Sequence, residues 1–259
     1  MSATVSTPTS RTGIRRITTD DLNWALREGW SDFNEKRGDL IFVALLYPLI
    51  GLIAAAVSLN NLALPLFFPL IAGISIFGPA AASGFYELAK RREEGRDATW
   101  RHFFDPVSGR KGTTIVILTI GLGAVFLLWL GVAFAIYAAT MGPNYPVGAS
   151  DLIRRAYGTP EGWTLIVLGN LAGGVFAVVV LLTATVSFPM AVDKEIDAGH
   201  AVETSIHAVK ANAATMIGWG ARVVGLLVLG ALPAFIGLAI VLPVLGYATW
   251  HLYTRLIVR

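Results

Sequence analysis

The chain has 259 residues, 55% of them hydrophobic and 14% charged, against about a quarter charged in an ordinary soluble domain, and its mean hydropathy of +0.65 weighs against a water-soluble fold. Lys and Arg number 20 and Asp and Glu 17, a balance of +3 that is too weak to hold nucleic acid. The absence of cysteine excludes disulfides, thiolate chemistry, iron–sulfur clusters and cysteine-based zinc sites.

From Met1 to Arg16 the sequence is polar and basic, without the apolar core and small-residue cleavage site of a signal peptide. It reads as a flexible basic tail over 1–17, with the mature protein beginning at or near Met1, and 18–259 reads as a single membrane domain. Thr19, Asp20 and Asp21 open a helix over 19–35, with acids in the first turn where the helix dipole favours them. Leu22, Leu26, Trp30 and Phe33 recur at a spacing of about four and share one face. That face either enters the bilayer surface, with Trp24 and Trp30 as interfacial anchors, or packs on the inner loops of the bundle.

A membrane crossing needs roughly 20 mostly apolar residues. Residues 40–59 and 62–88 meet that test and are separated by Asn60 and Asn61, which suit a tight turn. Residues 113–141 and 163–192 meet it again, and the Pro- and Gly-containing stretch from Gly142 to Gly162 reads as an external loop. Asp197 to Asn212 forms a second surface helix, with Val202, Ile206, Val209 and Ala213 on one face and Glu203, His207 and Lys210 away from it. The apolar region from Ala213 to Tyr253 is too long for one crossing. A break near Leu232 and Pro233, where proline ends or bends a helix, divides it into spans 213–232 and 234–255; one long helix is the other possibility.

The fold expected is all-α: a polytopic membrane helix bundle of about six spans in three hairpins, with short amphipathic surface helices on the cytoplasmic side. Short cytoplasmic loops collect Lys and Arg. With the N-terminus inside, the inner segments hold Arg11, Arg15, Arg16, Arg27, Lys36, Arg37, Lys90, Arg91, Arg92, Arg96, Arg101, Arg110, Lys111, Lys194, Lys210, Arg255 and Arg259. The outer side keeps only Arg154 and Arg155. An even count also puts the basic C-terminus inside. The loop from Lys90 to Gly112 carries Trp100, Phe103 and Phe104, so Trp100 is a third candidate anchor. Anionic headgroups attract such a loop by about 1 kcal/mol per basic residue, although topology signalling alone accounts for its charge.

Four blocks, Trp24 to Phe33 (WALREGWSDF), Gly78 to Gly95 (GPAAASGFYELAKRREEG), Ser187 to Asn212 (SFPMAVDKEIDAGHAVETSIHAVKAN) and Leu242 to Tyr253 (LPVLGYATWHLY), together resemble the prokaryotic membrane family labelled domain of unknown function 2189, from about Trp24 to Arg255. The resemblance implies a multi-pass protein of the bacterial inner membrane without an established activity. Some members carry a cytochrome c oxidase subunit label. A haem–copper site needs several intramembrane histidines, and of His102, His200, His207 and His251 the first three fall in loops.

Three spans approach the cytoplasm alike, with Pro79 before Tyr86 and Glu87, Pro189 before Asp193, and Pro243 before Trp250 and His251. A helix proline frees a carbonyl one turn back, so these kinks either open a polar vestibule or serve packing. Arg222, about two turns into the fifth span, is costly there unless paired or able to snorkel. An intramembrane polar cluster of Glu87, Asp193, Arg222 and His251 is the candidate site, with an Arg222 ion pair to Glu87 or Asp193 as its sharpest form. Gly169 to Gly173 and Ala80 to Gly84 are small-xxx-small spacings that suit helix contact, including dimerisation.

No P-loop, dinucleotide glycine pattern, HExxH or nucleophile elbow occurs, and Glu203 with His207 is too few ligands for a metal. No catalytic, cofactor-binding or metal set is expected, so no enzyme. The role expected is a non-enzymatic membrane scaffold or accessory protein, whose partners are a bilayer with anionic headgroups and a membrane protein or a second copy. The alternative is a small-solute transporter or channel with a polar vestibule near the cytoplasmic side.

Overall fold

A computed structural model describes residues 13–35, 67–142, 149–233 and 236–259. Among them all regular structure is helical, apart from one isolated antiparallel bridge between Ile14 and Ile257. The span expected at 40–59 lies outside the described residues.

Helix α1 runs over 19–35. Thr18 precedes it, and its N–H and hydroxyl both donate to Asp21 Oδ2, at 2.9 and 3.1 Å, so a carboxylate from the first turn closes the cap. Leu22, Ala25 and Phe33 are buried while Trp30 is 50% exposed. Gly29 lets α1 approach closely: a Cβ there would stand 2.6 Å from the Ala248 amide nitrogen and 2.7 Å from the Val244 carbonyl. Of the two readings of the stripe, packing on the bundle is the one observed.

The second apolar stretch is broken. Helix α2 (Phe67–Ile74) gives way to a 3-10 turn (Ser75–Phe77), then to the short α3 (Gly78–Ala81) and to α4 (Ser83–Glu93). The turn begins at Ser75, the carbonyl that Pro79 leaves without its helical donor. Pro189 acts in the same way. Helix α7 (Pro160–Ala184) ends just before Thr185, four residues upstream of that proline, and α8 (Ser187–Asp193) restarts the helix. The Val186 amide that falls in the break donates to Ser205 Oγ at 3.2 Å. Pro243, by contrast, sits inside α11 (Leu238–Leu256) without interrupting it.

A 3-10 segment (Trp100–Val107) leads into α5 (Gly109–Met141), a 33-residue helix about 50 Å long that exceeds any hydrocarbon core. Part of the expected external loop is helical as well. Helix α6 (Ala149–Gly158) packs Leu152 beside Tyr137, and Asp151 pairs with Arg154 at 2.7 Å and Arg155 at 3.0 Å, the i+3 and i+4 spacing of a helix face. Helix α9 (Ala198–Ala211) is capped by Asp197, whose carboxylate accepts from the His200 amide at 3.0 Å. Its buried face is Ala201, Thr204, Ser205, Ala208 and Val209, smaller residues than those expected. Helix α10 (Ala213–Ala231) ends at the anticipated break, and the turn to α11 closes with Gly230 against Gly237. Two helices, not one, fill the last apolar region.

Three helical stretches among the described residues, Lys111–Met141, Pro160–Asp193 and Ala213–Ala231, are long and apolar enough to cross a membrane. Their outward side chains are bare, with Leu127 68%, Leu171 64% and Leu229 62% exposed. The core gathers at one end instead. Leu22, Phe85, Tyr86, Phe188, Met190, Met216, Trp219, Trp250, Tyr253 and Leu256 are fully buried there, where α1, the end of α4, α8, α9, the start of α10 and the end of α11 meet. We call this end the collar.

The chain ends close the collar. The Arg15 amide donates to Leu256 O at 2.8 Å and the Val258 amide to Gly13 O at 2.9 Å. Asn212 Oδ1 accepts from the Ile17 amide at 2.9 Å, and Asn212 Nδ2 donates to Arg15 O at 3.0 Å. Residues 13–17 of the expected free tail are instead tied down by hydrogen bonds to their backbone, and 1–12 lie outside the described residues.

Candidate functional site

Helix α4 turns its last two turns into the collar and carries Glu87, Lys90, Arg91, Arg92 and Glu93 on neighbouring positions. Glu87 and Lys90 are buried, and a charge so placed must be paired or hydrogen-bonded. Glu87 meets Arg91 at 2.7 Å, and Arg91 reaches on to Asp105 at 2.7 Å. Lys90 Nζ donates to the Asp193 carbonyl at 2.8 Å and lies 3.4 Å from that residue's carboxylate. Lys111 Nζ, from α5, donates to the Val192 and Asp193 carbonyls at 3.0 and 3.2 Å. Two ammonium groups thus close on the last carbonyls of α8, which carry the negative end of its dipole.

On the other side of Asp193, the Tyr253 hydroxyl donates to Oδ2 at 2.9 Å and Arg259 Nε lies 3.7 Å away. The same guanidinium donates twice to Glu93 Oε2 at 3.0 Å and covers the Trp250 ring at 4.8 Å, while Trp250 Nε1 donates to Glu93 at 3.2 Å. A second group forms where α1 meets α11. His251 Nε2 is 2.8 Å from Asp32 Oδ2, and Arg92 Nη1 is 2.8 Å from Asp32 Oδ1. Arg92 also pairs with Glu35. Burial alone would lower the Arg92 guanidinium, but Glu35 and Asp32 outweigh it and hold its pKa above the ordinary value.

Three of the four anticipated polar residues, Glu87, Asp193 and His251, belong to this layer, though none pairs with another. Arg222 does not join them. Its guanidinium donates to Gly218 O at 3.0 Å and to Asn23 Oδ1 at 3.4 Å, and the expected ion pair to Glu87 or Asp193 is replaced by those contacts. Each carboxylate has a nearer cation, on α4 or at the C-terminus, and an α1 amide meets Arg222 first. Trp24, an expected interfacial anchor, packs on the end of α11. It stacks under Arg255 at 4.0 Å and meets His251 edge-on at 5.6 Å, whereas Trp30 and Trp100 stand 50% and 47% exposed.

Sequence reading overlooked Lys90, Lys111, Asp32, Arg92, Glu93, Tyr253 and Arg259 as members of the layer. The one signal for them was acid and base three and four residues apart along α4; their partners on α1, α8 and the C-terminus leave no local pattern. The arrangement can rigidify a surface. Among the described residues no group of three or more His, Asp or Glu side chains is placed to hold a metal ion.

No curated protein and no solved structure matches the chain. A family model matches from Phe67 to Asp193, which takes in the Gly78 to Gly95 block and the first residues of the Ser187 block but neither of the outer two blocks. Those residues carry α2 to α8, with the paired charges of α4 and the bare apolar faces of α5 and α7. Over residues 67–193 the chain matches the model of the family described as predicted integral membrane protein (DUF2189).

Proposed function

We propose that this is a non-enzymatic scaffold or accessory protein of the bacterial inner membrane, crossing it about six times with both termini in the cytoplasm, and that the collar is its working platform. One observation carries the reading: the buried and half-buried charges of the collar lie against one another or against backbone carbonyls. Glu87 is held by Arg91, Asp193 by Lys90 and Tyr253, and Asp32 by Arg92 and His251. A network closed in this way costs desolvation and returns a defined shape rather than a reactive group.

Topology is supported by the Ile14–Ile257 bridge. Two segments pair most readily on one side of a bilayer, which favours an even number of crossings between them. The collar is also where the basic residues gather, as cytoplasmic segments do.

The transport reading needs Glu87, Asp193, Arg222 and His251 to face a shared path. Their separate partners weigh against it, as do the aromatic rings of Phe85, Tyr247 and Trp250 that fill the space between α4 and α11. Purification from native membranes in mild detergent with mass spectrometry tests the proposal. A stoichiometric partner protein is expected. Solute uptake into vesicles containing the pure protein alone would instead favour transport, and reporter fusions placing either end in the periplasm would refute the topology.

A further inference from the structure

The 3-10 segment Trp100–Val107 splits its side chains sharply. Phe103 and Pro106 are buried, while Trp100, Phe104 and Val107 stand 47%, 55% and 57% exposed. The segment is fixed rather than loose. Phe103 meets Phe85 edge-on with centroids 4.9 Å apart and fills the space over Gly84, where a Cβ would come within 2.5 Å of its ring. Arg91 ties Asp105 to α4 at 2.7 Å.

That packing also sets a depth. Gly84 precedes the end of α4 at Glu93 by about 13 Å along the helix, so the segment folds back from the collar rim toward the apolar end of the bundle. From Val107 the chain passes through Ser108 directly into α5, whose outward Val116, Ile117 and Ile120 begin the exposed apolar band about 10 Å further on. The exposed trio therefore stands at the level of the Arg91–Asp105 pair, next to the exposed apolar band. Headgroups fill that level with a layer about 6 Å thick, and aromatic side chains favour it. Arg101, exposed beside Trp100, supplies a cation for lipid phosphate.

We propose that Trp100–Val107 is a rigid wedge that inserts Trp100, Phe104 and Val107 into the headgroup layer of the collar-side leaflet, with Arg101 on phospholipid phosphate. It stands whether or not the protein acts as a scaffold. The absence of cysteine makes single-site spin labelling clean. Phe104→Cys, Val107→Cys, Asp97→Cys and Ile120→Cys, each on the full chain, are labelled in phosphatidylethanolamine–phosphatidylglycerol vesicles, and collisions with oxygen and with a water-soluble nickel chelate are compared.

The oxygen-to-nickel ratio at 104 and 107 should lie several-fold above that at 97 and approach that at 120. A ratio at 104 and 107 equal to that at 97 would put the wedge in water and overturn the proposal. An immobile label shielded from both reagents would overturn it as well, since another protein surface would then cover the face. Quenching of Trp100 by brominated lipid, taken as the difference between the native chain and Trp100→Phe, gives the same answer without a cysteine: its loss in the variant is expected, and an unchanged signal contradicts the wedge.

Discussion

The collar and the outward faces of α5, α7 and α10 use nearly the same apolar residues to opposite ends. In the collar, Trp219, Trp250 and Leu256 lie buried among charges that are each assigned a partner. Along α7, Leu171 and Val175 are both 64% exposed, and the most apolar stretch of Pro160–Asp193 buries none of its residues. The difference lies in what surrounds them. Hydrocarbon asks of a helix only that its backbone be satisfied internally, so those faces need no complementary shape. Next to water, burial must come from protein, and the collar gets it by drawing α1, α9 and both chain ends over the helix termini.

The comparison is broken most readily in the aromatic core. Trp250→Ala should cost about 4 kcal/mol and lower the thermal midpoint for loss of monodisperse protein in detergent, whereas Leu171→Ala should leave it nearly unmoved. Equal losses would erase the distinction. Removing one side of a buried pair comes next: Asp32→Ala strands His251, leaves Arg92 with Glu35 alone and should cost about 3 kcal/mol, read from unfolding titrations in mixed micelles.

Glycine sharpens the contrast further, because the same change should differ in sign. Gly29→Ala drives a methyl into the backbone of α11 and should destabilise by about 2 kcal/mol. At Gly225 a Cβ meets nothing, so Gly225→Ala should stabilise by about 0.5 kcal/mol through helix propensity alone.

The smallest effect belongs to the rim. Slight desolvation at Asp97 is outweighed by its hydrogen bond from Thr99 and the charge of His102, which hold its carboxyl below the ordinary value. A lowered folded pKa gives stability that is present above the unfolded value, near about 4, and is lost as pH falls through the folded one. Asp97→Asn should therefore lower the thermal midpoint slightly at neutral pH and leave it unchanged in strong acid.

Much of the helical plan was legible in sequence because proline and apolar length act locally. The breaks at Ser75 and Thr185 follow from Pro79 and Pro189, and the end of α10 from Pro233. Helix α6 was hidden because a short helix in a Gly- and Pro-containing loop has no apolar length, and only Asp151 with Arg154 and Arg155 marked it. The site was half legible. Glu87, Asp193 and His251 stood out as polar groups beside apolar spans, but their partners come from distant positions, such as Asp32 for His251 and Arg259 for Glu93. Arg222 misled for the same reason: depth along a helix gives a charge its cost but does not say which neighbour answers it.

The meeting of the two chain ends in the collar is most directly tested by a cross-link. Ile14 and Ile257 face each other as a pair whose flanking amides, Arg15 and Val258, make the hydrogen bonds, so their Cα atoms stand about 4.5 Å apart, within disulfide reach. Ile14→Cys with Ile257→Cys, in a chain that has no other cysteine, should close on mild oxidation in isolated membranes to a monomer of faster gel mobility that reverts on reduction. Two free thiols after oxidation, or only cross-linked dimers, would contradict a collar closed by both termini on one side of the membrane.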